Sequence, residues 1–301
     1  MKRAVGILAV TALLGVILVC GLGVLKLFSQ PAAHIIVAGR DIALWKPSGE
    51  APPAGFPVVV FSHGFTGCNT QSVFLMEALA HAGYFVVAPN HHDARCGTAR
   101  GNLLSGFLPQ QPLRDEARWS DATYQDRAAD VRVLLDAVLG GKLFQDVPVD
   151  AARVGIAGHS LGGYTAVGMA GAWPSWKDKR IKAVLALSAY CSPYVLKGDL
   201  AHLNVPVMYQ GGTRDFGVTP TVRRFSGAYD RSSAPKYYVE FEGAGHFAWT
   251  NLNKTYQDVI SSYSVAFFDR WLKGRSDPDS LGRLTAPPWP DRVSSVQFAL
   301  H

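Results

Sequence analysis

Apolar positions along the chain form two kinds of run. Residues 57–61 (PVVVF), 84–89 (YFVVAP), 153–158 (RVGIAG), 181–187 (IKAVLAL), 206–210 (PVMYQ) and 236–241 (KYYVEF) are short and apolar almost without interruption. Such runs predict strands buried on both faces, as in a parallel sheet. Between them, residues 70–82, 126–139, 161–172, 219–229 and 254–272 carry helical spacing. Val131, Leu134, Leu135, Val138 and Leu139 recur at i, i+3, i+4, i+7 and i+8, one apolar helix face. Alternating strands and helices predict an α/β architecture: a mostly parallel central sheet, right-handed crossovers and helices on both faces. Residues 34–45 (HIIVAGRDIALW) predict an antiparallel pair at the sheet edge. No linker divides residues 30–301, so they read as one domain. The short stretch between residues 187 and 205 leaves no room for a large cap.

The N-terminus departs from both patterns. Lys2 and Arg3 precede 22 uncharged residues, 4–25, and Lys26 ends the run. As a helix this run is about 33 Å long, enough to cross a bilayer core. Residues 1–29 are therefore expected to form a signal anchor with one transmembrane helix. Lys2 and Arg3 would lie inside, and the body would lie outside the cytoplasm, periplasmic or extracellular. A cleaved signal followed by secretion is the alternative, but the run exceeds an h-region and no A-x-A-like site follows it. Lipidation at Cys20 is disfavoured by the bulk of Val19.

Composition removes other classes. With 48% hydrophobic and 17% charged residues, most of the chain is not disordered. The net charge of +6 is scattered without a like-charge block, so no nucleic-acid partner is expected. Four Cys in 301 residues exclude a disulfide-dense scaffold. Residues 90–122 are too long for an ordinary connection and hold Leu103, Leu104, Phe107, Leu108 and Trp119. They are expected to fold over the site as a substrate-facing flap, with a surface loop over a satellite core as the alternative.

Candidate chemistry centres on Gly158-His159-Ser160-Leu161-Gly162, a G-x-S-x-G motif between a predicted strand and a predicted helix. That context is the one the motif requires, because the Ser must sit on a sharp turn beside a helix N-terminus. A nucleophilic Ser needs a base and a group that orients it, in the chain order Ser, acid, His. Asp215 follows the strand ending at 210, and His246 follows the strand ending at 241, both at strand C-terminal ends. Asp199, Asp230, His202 and His301 are rivals without that placement. The backbone N–H groups of Leu161 and Phe65 are the expected oxyanion donors. His63 is expected to brace that loop rather than to act as the base. His91, His92, Asp93 and Cys96 read better as a polar loop at the site mouth than as a metal site. Any two of Cys68, Cys96 and Cys191 could form a disulfide. The tail, residues 276–301, is open to two readings, packed on the body or hanging free.

GHSLGG, SHGF, GGTRD and GAGH together resemble the α/β-hydrolase superfamily over roughly residues 35–273. Within it the chain resembles the dienelactone-hydrolase-like serine esterases, which include platelet-activating-factor acetylhydrolases, chlorophyllases and bacterial cutinases acting on polyesters. Asp126 to Arg132 (DRAADVR) and the 31-residue interval from Asp215 to His246 are further points of likeness. The resemblance implies an α/β-hydrolase fold and cleavage of carboxylic esters of lipid, acyl or polyester type through an acyl-enzyme. Neither cofactor nor metal is implied. Tyr190 falls where the cutinases place an aromatic clamp, and Phe65 and Trp249 are further expected substrate contacts. An acyltransferase or peptidase on the same triad is the alternative, and a non-catalytic binding protein a weaker one.

Overall fold

The computed structural model describes residues 33–95, 115–141, 144, 146–287 and 289–301. Its frame is one nine-stranded sheet in the order β1-β2-β4-β3-β5-β6-β7-β8-β9. The strands are β1 (Ala33–Val37), β2 (Arg40–Trp45), β3 (Phe56–Ser62), β4 (Phe85–Pro89), β5 (Val149–His159), β6 (Ile181–Leu187), β7 (Val207–Gly212), β8 (Lys236–Phe241) and β9 (Val293–Ala299). Strands β3 to β8 pair in parallel, and β1, β2 and β9 join antiparallel at the two edges. The mostly parallel sheet and its antiparallel edge pair match expectation.

The described α-helices are α1 (Val73–His81), α2 (Gln125–Leu139), α3 (Leu161–Val167), α4 (Ser192–Lys197), α5 (Thr219–Arg223), α6 (Ala228–Arg231), α7 (Gln257–Leu272) and α8 (Pro278–Thr285), with short 3-10 and π turns between them. The near-continuous apolar strands reflect two cores, one on each sheet face. Along β3, Val58 and Val60 enter the core shared with Val131, Leu134 and Leu135 of α2. Val59 and Phe61 enter the opposite one, with Leu75 and Leu79 of α1 and Tyr263 and Phe267 of α7. Every residue of β3 is buried. Each such side chain contributes about 1.5–3 kcal/mol of apolar burial.

Several boundaries differ from the periodicity. The helix expected over 161–172 is α-helical only to Val167 and continues as a π-helical turn, Gly168–Ala172. Gly171, at φ +128°, cannot continue an α-helix. The helix expected over 219–229 is split into α5 and α6. The tail packs on the body: β9 extends the sheet beside β8, and Leu284 of α8 is fully buried. Between β6 and β7 only α4 and one short 3-10 turn intervene, so no large cap stands there.

The anchor expected over residues 1–29 lies outside the described residues, as do the flap residues Leu103, Leu104, Phe107 and Leu108. Among the described residues no helix is long and apolar enough to cross a membrane. Trp119, in the described stretch 115–122 of the segment expected to form a flap, is fully buried and packs on Tyr164, Tyr124 and Tyr190.

Candidate active site

Ser160 occupies the turn between β5 and α3 at φ +55° and ψ −116°. Such a conformation costs on the order of 1–3 kcal/mol and persists only where its surroundings hold it. Two β6-end contacts hold it here: Ser160 N–H donates to Leu187 O at 3.0 Å, and Tyr190 N–H donates to Ser160 O at 3.0 Å. Close approach explains the flanking glycines. A Cβ on Gly158 would lie 2.1 Å from Gly162 O, and one on Gly162 would lie 1.9 Å from Ser62 O.

His246 opens a 3-10 turn beyond β8, and its Nε2 lies 3.0 Å from Ser160 Oγ. Asp215 lies beyond β7, nearly buried, with Oδ1 3.3 Å from His246 Nδ1. Its Oδ2 accepts from Ser188 Oγ at 2.5 Å and from Thr219 Oγ1 at 3.0 Å. Burial alone would raise the Asp215 carboxyl. Hydrogen bonds from His246, Ser188 and Thr219, with the imidazole charge, outweigh it and hold the carboxyl below the usual carboxylate range. The rivals are elsewhere: Asp199 pairs with His202 at 2.6 Å, and Asp230 accepts from Ser226 N–H at 2.8 Å.

Leu161 is the first residue of α3, so its N–H has no partner one turn back. The loop carrying Gly64 and Phe65 passes over the same point, since a Cβ on Gly64 would lie 3.4 Å from Ser160 Cβ. Beneath that loop is a brace. His63 Nδ1–H donates to Gly64 O at 2.7 Å, and His63 Nε2 accepts from His91 N–H at 3.1 Å. Arg127, fully buried, donates to His63 O at 2.7 Å and grips Asp93 through Nη2 at 2.7 Å and Nε at 3.2 Å. His91 Nδ1 meets Asp130 Oδ2 at 2.9 Å, and its Nε2 meets Ser62 Oγ at 2.9 Å. A carboxylate only accepts, so His91 donates to Asp130 and accepts from Ser62. His91 is therefore a buried brace and does not line the mouth as expected, while its neighbour His92 pairs with Asp126 outside.

A second chain of hydrogen bonds ties the loop carrying Gly64 and Phe65 to the His246 loop. Gly64 N–H donates to Gln71 Oε1 at 2.9 Å, Gln71 Nε2 meets His159 Nδ1 at 3.0 Å, and His159 Nε2 meets His246 O at 2.8 Å. The carbonyl can only accept, so His159 carries its proton on Nε2 and accepts from Gln71. Burial, then repulsion from His246, lowers the His159 ring to about 3, so it stays neutral. Sequence reasoning passed over Gln71, Ser188 and Thr219, which show no local motif of their own, and gave no role to His159, the variable position of the G-x-S-x-G motif.

Around Ser160, Tyr190 is half-buried, with its hydroxyl on Glu116 Oε1 at 2.9 Å. Phe65 is half-buried, and Phe247, beside His246, and Phe216, beside Asp215, are 61% and 79% exposed. Trp249 departs from expectation. It is fully buried, donates from Nε1 to Gln210 Oε1 at 3.0 Å and stacks near His159, so it supports the site from below and does not face a substrate. Cys68 is disulfide-bonded, whereas Cys191 is free and buried.

The family described as PET hydrolase-like matches residues 118–280, and the one described as platelet-activating factor acetylhydrolase, isoform II, matches residues 23–102. Cutinase est2 of Thermobifida alba is 26% identical over 228 residues, covering 75% of this chain and 61% of that protein. Cutinase 1 of Thermobifida cellulosilytica is 31% identical over 228 residues, covering 75% of this chain and 70% of that protein. A cutinase of Thermobifida fusca (strain YX) is likewise 31% identical, with 61% of its length covered. This chain thus spans about six-tenths of the length of Cutinase est2. Sheet order, elbow and sequence likeness converge, and the chain belongs to the PET hydrolase-like family of serine esterases on the α/β-hydrolase fold.

Proposed function

We propose that the chain hydrolyses carboxylic esters through an acyl-enzyme on Ser160. The observation that carries this reading is His246 Nε2 at 3.0 Å from a strained, strand-end Ser160, with Asp215 behind the ring. Ser160 Oγ attacks the ester carbonyl while His246 takes its proton, and His246 then returns the proton to the leaving alcohol. Asp215 keeps the ring oriented and steadies the imidazolium. The N–H groups of Leu161 and Phe65 receive the oxyanion, and water resolves the acyl-enzyme by the same steps. The exposed Phe216 and Phe247 support an apolar acyl or polymer substrate. The disulfide at Cys68 supports a body held in an oxidising compartment outside the cytoplasm.

The test is a p-nitrophenyl ester panel of increasing chain length beside phospholipid and polyester films, with a fluorophosphonate probe on the same protein. Hydrolysis with label on Ser160 is the expected result. No label, or label elsewhere, overturns the reading. Acyl transfer to an added alcohol or amine in preference to water would replace hydrolase with acyltransferase.

A further inference from the structure

Ser188 follows β6 directly and is 1% exposed, with φ +41°, a conformation L-residues adopt only under constraint. Its N–H donates to Gln210 O at 2.8 Å, which fixes its backbone against β7. Its Oγ lies 2.5 Å from Asp215 Oδ2 and 2.7 Å from His246 Nδ1, while the direct contact from Asp215 Oδ1 to His246 Nδ1 is 3.3 Å. The hydroxyl is thus nearer to both groups than they are to each other.

Hydrogen counting decides the polarity of this bridge. An ionised carboxylate has no proton, so the single Ser188 proton goes to Asp215. The lone pairs of Oγ then face His246 Nδ1, which must carry the proton it donates. That leaves Nε2 bare and 3.0 Å from Ser160 Oγ, the form a general base needs. His159 also faces His246, with ring centroids 4.9 Å apart, but its hydrogen bond goes to the His246 main-chain carbonyl and leaves the Nδ1 edge to Ser188 and Asp215.

We propose that Ser188 is a positioning residue of this site, whose hydroxyl bridges Asp215 to His246 and fixes the ring tautomer together with the carboxylate. The proposal rests on the esterase reading. Ser188 touches neither substrate nor Ser160 Oγ and acts through His246. No bond to it is made or broken in turnover; its proton stays on Oγ.

Ser188→Ala removes the hydroxyl and leaves the Cβ. Ser188→Gly removes it and suits φ +41°, so it keeps the fold available if the Ala variant is unstable. A hydrogen bond to a charged partner sets the scale: kcat should fall by about ten- to a hundredfold in both variants, with KM within about twofold of wild type. In an Asp215→Asn background Ser188→Ala should add less than about a threefold further loss, because both act through one ring. The labelling rate of Ser160 by the fluorophosphonate should fall in parallel with kcat. Wild-type labelling combined with Ala and Gly variants that label and turn over at the wild-type rate would overturn the Ser188 role alone. Fully multiplicative losses with Asp215→Asn would also overturn it. Absence of labelling in the wild type would overturn the esterase reading, and the Ser188 role with it.

Discussion

Two Ser–His–Asp arrangements lie close together in this fold, and their difference is instructive. Ser160–His246–Asp215 and Ser62–His91–Asp130 share the same donor order, with Ser-to-His distances of 3.0 and 2.9 Å. The His246 side chain is 28% exposed and that of His91 is 0% exposed. Ser160 sits at a strained turn beside a helix N-terminus, and Ser62 ends a fully buried strand. Side-chain geometry alone therefore does not make a nucleophile. On the proposed reading, access, a strained turn and the N–H groups expected to receive the oxyanion separate the two, and the enclosed set braces the loop that carries Gly64 and Phe65.

The largest expected effect separates them by chemistry. Ser160→Ala should lower kcat by about 10⁴–10⁶-fold with an unchanged melting temperature, whereas Ser62→Ala should leave kcat of the folded protein within a few-fold. Ester turnover on the p-nitrophenyl panel reads both, and comparable losses would erase the distinction.

Next, Arg127→Met should destabilise the fold by about 3–5 kcal/mol, because it strands Asp93 and two loop carbonyls in the interior. Urea unfolding measures this. A loss below about 1 kcal/mol would show that the brace is not what holds the loop carrying Gly64 and Phe65.

Acid should act through the buried rings of His63, His91 and His159. His63 and His91 are held well below the ordinary histidine value of 6.5, first by burial and then by Arg127, and His159 is held at about 3. In the folded protein these rings stay neutral while the unfolded chain takes up protons. Stability is thus complete above about pH 6.5 and falls as pH drops below it, down to the folded values. Each ring contributes up to about 1.4 kcal/mol per pH unit in that window. Thermal melts from pH 7 to 4 should show the decline, and His159→Gln should flatten it by about one proton. A flat profile would mean that the buried rings already carry charge.

The smallest effect concerns the inner serine. Ser62→Ala leaves the Nε2 acceptor of His91 without its partner and should cost about 1–3 kcal/mol in urea unfolding. A neutral result would show that His91 is held by Asp130 alone.

Much of this was legible because it is written locally. Continuous apolar runs gave the parallel strands, and Ser160, Asp215 and His246 each follow one of them, so chain order and strand ends placed the three together. The supporting residues were not legible, because their partners are remote in sequence. Ser188 reaches across 58 residues to His246, and Gln71 across 88 to His159. Nothing beside either residue marks it. Trp249, expected as a substrate contact, is instead directed inward to Gln210 by the 3-10 turn, which the sequence does not mark. In β9, VSSVQFA has too weak an alternation to announce a strand, and pairing with β8 decides it.

The missing side chain at residue 162 carries a further consequence. The 1.9 Å clearance between a would-be Cβ there and Ser62 O means that the inner strand and the turn carrying Ser160 are fitted to one another across a gap that admits only hydrogen. The two serines are then not separately adjustable parts. In a laboratory lineage selected for a new ester, changes that shift the end of β3 would be felt at once as misalignment of Ser160. Productive variation is steered away from that seam, toward exposed positions such as Phe216, which is 79% exposed.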